Sequence, residues 1–238
     1  MCTVLIAFQA FSDHPLHIAA NRDEQLDRPA QTFTMRAGRP SIFAPRDLEA
    51  GGTWIGVNEH GLVAAITNRF GANSGDSRRS RGELVMLALT HADVARASAA
   101  IGALDPREYN GFHLTVASVA RAETVWSDGE SISTAVRQPG LHVVTERSFG
   151  AADSPREHWL EDRLKVVSSP DEFDRLLLHE ADDGFNGTLV AVPEMNYGTR
   201  SSTIVKLGDT PELLHAHGRP DEASYTDFSG QIRKLLQR

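Results

Sequence analysis

A single cysteine, Cys2, in a chain of 238 residues excludes an internal disulfide and a thiolate zinc cluster, while leaving one thiol free to act as a nucleophile. Basic residues are outnumbered by acidic ones, 24 Lys and Arg against 32 Asp and Glu, for a formal net charge of −8. A global electrostatic case for binding nucleic acid or an anionic membrane is thereby removed. No window approaches the roughly 18 consecutive apolar residues of a membrane span, and no basic segment precedes the short apolar run at the start, so the expectation is a cytoplasmic protein. Aromatic residues are few, 7%; Trp54, Trp126 and Trp159 are scattered and read as core or rim residues rather than as a stacking array for bases. Gly51-Gly52 runs into Thr53-Trp54, which is not a phosphate-binding loop. His215 and His217, and likewise His14 and His17, lack a third ligand at zinc spacing, so they read as surface histidines; neither metal nor cofactor is expected.

What is present is enough for a real core: 40% of the residues are hydrophobic, and with no linker, repeat or low-complexity tract the chain reads as one domain over 1–238. Apolar runs at residues 3–8 and 16–20 predict a first hairpin, and the nearly unbroken character of the first run predicts a strand buried on both faces. Residues 21–50 carry Pro29, Pro40 and Pro45 and read as irregular, with one short strand at most. Runs at 53–57 and 62–67 predict a second hairpin that ends at Asn68. Three capping boxes, Ser80 with Glu83, Ser154 with Glu157 and Ser169 with Glu172, mark helix starts; Pro155 and Pro170 occupy first helical positions. One helical region is expected over about 82–104, followed by strands at 111–118, 122–127, 131–137 and 141–146, then 188–192, 203–207 and a weaker one at 212–217. Strands come in runs and helices in blocks, so the class is α+β.

Cys2 is the residue with most chemical content. Removal of Met1 would make it the N-terminus, with a thiol of pKa about 8.5 and an α-amine of about 7.7–8.0 on one residue, so that the amine can take the thiol proton directly or through water. With Met1 attached, that nitrogen belongs to a peptide bond and has no such capacity. Read alone, a free cysteine at position 2 is as readily a packing residue.

Six segments in order change that weighting: MC at the start, LHIAANRDEQLDRPA, GGTWIGVNEHGLVAAITN at 51–68, SRGEL at 80–84, YNGF at 109–112 and YGTRSSTI at 197–204. Together they resemble the NRDE family, which takes its name from the tetrapeptide found here as Asn21, Arg22, Asp23 and Glu24 and includes the transport and Golgi organisation protein 2-like proteins. The family is similar to the cysteine N-terminal-nucleophile hydrolases. The resemblance therefore implies a four-layer αββα sandwich with the nucleophile at the start of a central strand. VNEHGLVAAITN is similar to a stretch of the bile-salt hydrolases and penicillin V acylases, whose closing asparagine helps form the oxyanion hole.

By that resemblance Cys2, Asp23 and Asn68 are the catalytic candidates: nucleophile, partner of the Cys2 ammonium, and donor to a tetrahedral oxyanion. Asn21, Arg22 and Glu24 support the motif, with Arg22 reading as a structural ion-pair partner of Glu24 or another carboxylate. Arg200, read as preceding a strand, offers a planar fork to a substrate carboxylate or to the oxyanion; the alternative is an ion pair that pins the strand. Arg69, Arg78, Arg79 and Arg81 flank a Gly- and Ser-containing stretch at 71–77 that reads as a solvated loop. One position departs from the family: Thr145-Glu146 stands where a Ser-Asn pair is common, and an ionised Glu146 cannot donate to an oxyanion. Two functions stay open. One is an acylase-like hydrolase cleaving an amide, ester or thioester substrate through acyl-Cys2. The other is a non-catalytic carrier or trafficking protein for haem or a lipid-like acyl ligand.

Overall fold

The computed structural model describes residues 2–72, 75 and 78–237; Met1 and most of the 71–77 loop fall outside the described residues. The first strand, β1 (Cys2–Phe8), sets the architecture. Its side chains alternate between two buried environments: Val4, Ile6 and Phe8 enter one apolar cluster while Leu5 and Ala7 enter another. A period of two with both faces buried means a strand inside a layered stack. β1 lies between β10 (Gly140–Val144) and β2 (Leu16–Gln25) in a first sheet. The order continues through β12 (Tyr197–Leu207), β13 (Glu212–His217) and β14 (Thr226–Asp227), with β11 (Ala191–Val192) paired to β12.

The second sheet is an antiparallel meander: β3 (Ala30–Arg36), β4 (Ile42–Asp47), β5 (Ile55–Asn58), β6 (Val63–Asn68), β7 (Phe112–Ala117), β8 (Ala122–Ser127) and β9 (Ile132–Val136). Val4, Ile6, Val57, Val63 and Val205 fill the space between the sheets. Helices α1 (Gly82–Leu89) and α2 (Val94–Gly102) cover the outer face of the second sheet through Leu84, Val85, Ala97 and Ile101. Helices α3 (Pro155–Leu164) and α4 (Pro170–Arg175) cover the first through Leu160 and Phe173. This is the αββα arrangement.

Several local readings change. The 21–50 segment is not irregular: β2 continues to Gln25, and β3 and β4 form a ladder. Its prolines are accommodated without breaking the ladder. Pro29 precedes β3, and Pro45 sits where the β3–β4 register shifts between Gln31 and Thr34, a place where a missing N–H breaks no regular ladder bond. The 82–104 region is two helices, because Asp93 caps α2 through Arg96 N and the Asn58 side chain takes the carbonyls of Leu89 and His91 at the end of α1. Ser154 and Ser169 cap as expected. Ser80 does not cap Glu83: its hydroxyl accepts from Gly82 N, and Glu83 pairs with Arg79 at 2.6 Å. In the 188–192 segment only Ala191–Val192 is strand, whereas β12 starts six residues earlier than expected. The terminal helix α5 (Ser229–Leu236) carries no capping signal; Ile232 and Leu235 close one end of the inter-sheet core. Among the described residues no helix is long and apolar enough to cross a membrane.

Candidate functional site

Register puts the site together. In the β1–β2 ladder Cys2 faces Arg22, and in the β2–β12 ladder Asp23 faces Thr199. Side-chain alternation along β2 sends Leu16, Ile18 and Ala20 between the sheets, and Asn21 and Asp23 toward the helices. Arg22 therefore lies on the inter-sheet side with its guanidinium 4.5 Å over the Trp54 ring. The end of β6 brings Asn68 to the same place, and the start of α1 completes the wall.

The result is a cavity of about 560 Å³ lined in part by Cys2, Arg22, Asp23, Glu24, Trp54, Asn68 and Arg81, a size suited to a small-molecule ligand. Its floor is bare backbone: a Cβ on Gly52 would stand 2.7 Å from the Gly82 main chain, so only glycine allows the 47–53 turn to lie against the start of α1. The Asn68 side-chain amide has no hydrogen-bond partner among the described residues, while the Asn68 backbone carbonyl oxygen lies 3.3 Å from His113 Nδ1. Burial pushes the Cys2 thiol up, while the Asp23 backbone amide and the Arg22 guanidinium act the other way.

Asp23 is fully enclosed and held from far along the chain. Thr199 Oγ1 donates to Oδ1 at 2.8 Å, Arg156 Nη1 approaches Oδ2 at 3.5 Å, and Tyr197 donates to the Asp23 carbonyl at 2.9 Å. Burial lifts its carboxyl to about 6 against the opposing pull of Arg156. Arg156, 2% exposed, also lies 3.6 Å from Glu146 and donates to Thr3 Oγ1 and to the Phe185 carbonyl. Glu146 thus sits in a buried ion cluster behind Asp23, not on the cavity wall, and its Oε2 makes no hydrogen bond. Sequence reasoning missed Arg156, yet it left a signal: a cation in the first turn of a helix opposes the macrodipole and needs a reason to be there.

The remaining candidates divide. Asn21 donates to the carbonyls of Leu177 and Thr188 and ties β2 to the helical layer. Arg22 pairs chiefly with Asp47, at 3.0 Å, and only loosely with Glu24, at 3.7 Å. Asp47 is shared with Arg28 at 2.7 Å. Arg200 does not precede a strand: it is the extra residue of a bulge inside β12, between Thr199 and Ser201, and its Nη1 meets His217 Nε2 at 3.0 Å. It does not line the cavity. Arg69 turns away to the carbonyls of Ser148 and Phe149. The surface reading fails for two histidines: His17 and His215 are buried, the first 2.6 Å from Asp174 and the second bonded to Thr203 and packed on Phe33. Among the described residues no group of three or more His, Cys, Asp or Glu is disposed to hold a metal ion.

Comparison with known proteins fits this architecture. The sequence model of the family described as Transport and Golgi organisation 2 matches residues 1–181. The Transport and Golgi organization protein 2 homolog of Homo sapiens is 31% identical over 130 residues, 52% of this chain and 47% of that protein. The Bos taurus homolog is 31% identical over 127 residues, 50% of this chain and 46% of its own. The matched stretch thus spans about half the length of these curated relatives. Among solved structures, penicillin V acylase from Agrobacterium tumefaciens superposes with a TM-score of 0.60 at 14% identity, over 96% of this chain and 86% of that one. The N-acylethanolamine-hydrolyzing acid amidase ortholog of Caenorhabditis elegans gives 0.57 at 15% identity, over 87% and 94%. The C2A mutant of conjugated bile acid hydrolase from Clostridium perfringens gives 0.55 at 11%, over 97% and 93%. At these identities the likeness is one of fold, and the fold is that of the N-terminal-nucleophile hydrolases.

Proposed function

The chain belongs to the Transport and Golgi organisation 2 family, and from that membership and the geometry around Cys2 we propose that it is a cysteine N-terminal-nucleophile hydrolase. Its substrate on this reading is an amide, ester or thioester. The observation that carries the proposal is that Cys2, at the head of β1, shares one cavity with Asp23 and with an asparagine amide that has no other described partner.

With Met1 removed, the Cys2 amine accepts the thiol proton as Sγ adds to the substrate carbonyl, and the Asn68 amide donates to the oxygen that gains charge. Collapse of the tetrahedral adduct breaks the acyl–heteroatom bond. The leaving amine, alcohol or thiol takes the proton from the Cys2 ammonium, leaving acyl-Cys2. Water, deprotonated by the same amine, then releases the acid and restores the thiol. Asp23 holds the ammonium by charge. A haem or lipid carrier would want an apolar bed, and a wall of Arg, Asp and Glu side chains is a poor one.

The test is turnover of a panel of acyl amides, esters and thioesters by protein whose N-terminus is verified by intact mass, with a search for an acyl adduct on Cys2 after rapid acid quench. Absence of both turnover and adduct overturns the proposal. Asn68→Ala is expected to lower the chemical rate by roughly 10²–10³-fold, the usual effect of deleting one oxyanion donor; single-turnover kinetics separate this from a loss of binding.

The pH profile supplies a further check. Because burial lifts Asp23 to about 6, its carboxylate is lost as pH falls through that value, so the fall in kcat/KM set by protonation of the Cys2 amine, about tenfold per unit, is expected to steepen to about a hundredfold per unit below pH 6. Asp23→Asn should show low activity throughout and lack that steepening, keeping only the limb set by the Cys2 amine. An unchanged steepening below pH 6 in the variant would assign that titration elsewhere.

A further inference from the structure

Arg81 lines the Cys2 cavity and makes no ion pair among the described residues. Arg22 and Arg28 share Asp47, and Arg79 pairs with Glu83 and Glu108. Arg81 makes a single hydrogen bond, Nη1 to the Gly111 carbonyl at 3.2 Å, and no carboxylate lies within ion-pair distance among the described residues. Four of its five N–H donors are therefore uncommitted. It also stands immediately before α1, where the positive end of the helix dipole opposes a cation instead of stabilising it. Burial pushes the Arg81 guanidinium down, while Cys2 and Glu24, which line the same cavity, act the other way. A second group points the same way. Arg22 is only 6% exposed and lines the cavity, and its Nη1 has no hydrogen-bond partner. Two guanidiniums with unfilled donors thus line one cavity with the nucleophile, one of them at the positive end of a helix.

We propose that Arg81, with Arg22 on the same wall, binds a carboxylate of the substrate beside Cys2, so that the preferred acyl compound carries a negative charge close to its scissile carbonyl. This rests on the hydrolase reading of the cavity and names its substrate class. The planar fork of arginine matches a carboxylate through two parallel hydrogen bonds, which also sets the orientation of the carbonyl toward Sγ. Arg200, held by His217 away from the cavity wall, is not the anchor.

The test uses Cys2 itself as reporter, since it is the sole cysteine. Iodoacetate and iodoacetamide differ by one charge, and both alkylate a thiolate with loss of iodide. In the wild-type chain at low salt the iodoacetate-to-iodoacetamide rate ratio is expected to exceed that of a neutral cysteine amide. In Arg81→Gln the ratio should fall by about tenfold, in keeping with loss of a charge-assisted contact. Taking the ratio cancels any change in thiol ionisation. Arg81→Lys keeps the charge without the fork and should give an intermediate value. Acetate should protect wild-type Cys2 from iodoacetamide, an arm that needs no variant. Equal ratios in wild type and Arg81→Gln, or no protection by acetate, overturn the proposal. The hydrolase reading fails separately, on turnover, because alkylation requires only a reachable thiol.

Discussion

Cys2→Ala is expected to abolish hydrolysis, with a loss of at least about 10⁴-fold in kcat, because deleting the nucleophile of a covalent catalyst removes the reaction path and not merely a contact. Cys2→Ser keeps a hydroxyl at the same place but loses the readily ionised thiol. It should retain only a small residual rate, and an acyl ester should accumulate on it if deacylation slows more than acylation. Both variants should fold: Cys2 is half-buried at the first position of β1, and the apolar contacts of that strand come from Val4 through Phe8. The measurement is steady-state turnover beside a thermal melt and an intact-mass check of the N-terminus. Wild-type turnover in Cys2→Ala would remove the covalent mechanism altogether.

Arg156→Met is expected to be the most destabilising single change near the site. The methionine fills much of the volume, but Asp23 and Glu146 lose their shared buried cation. Breaking a buried pair from one side costs about 3–5 kcal/mol, which for a chain of this size lowers Tm by roughly 6–20 °C. The pH dependence identifies the cause. Asp23 already has its folded-state pKa raised to about 6, so its contribution to stability is complete below the ordinary aspartate pKa and is lost as pH rises through 6. Without Arg156 that loss deepens at neutral pH and is relieved when the carboxyl is protonated. The Tm deficit should therefore narrow between pH 7.5 and pH 5, and Arg156→Met combined with Glu146→Gln should recover part of it. A deficit that is the same at both pH values would point to lost packing instead.

The layers were legible in the sequence because they follow from periodicity: β1 is apolar at every position but Thr3 and is buried on both faces, and Ser-Pro pairs at 154 and 169 announce α3 and α4. What escaped was local patterning overridden by distant partners. Prolines argue against strands only where the ladder needs their N–H, and at Pro45 a register shift removes the need. The polar run from Asn21 to Glu24 reads as loop until Thr188, Asp47, Arg156 and Thr199 supply what those side chains bond. α5 has no cap and little length to declare itself. In the candidate site, Cys2, Asp23 and Asn68 stood out through family motifs, whereas Arg156 and the unpaired state of Arg81 are facts of tertiary contact. The Glu146 departure was visible as a missing amide; that it answers an arginine on α3 required the fold.

The carboxylate behind the nucleophile is fixed by residues 156 and 199, which the ribosome delivers long after Cys2. At about 5–20 residues per second, the interval from Cys2 to Thr199 is roughly 10–40 s of synthesis. Throughout that time the emerging thiol has neither the enclosed Asp23 nor the β12 neighbour beside it, and behaves as an ordinary cysteine on an unfinished chain. A truncation that stops short of β12 should likewise show no hydrolytic turnover, so turnover at Cys2 becomes a clock that reports when the whole sandwich has closed.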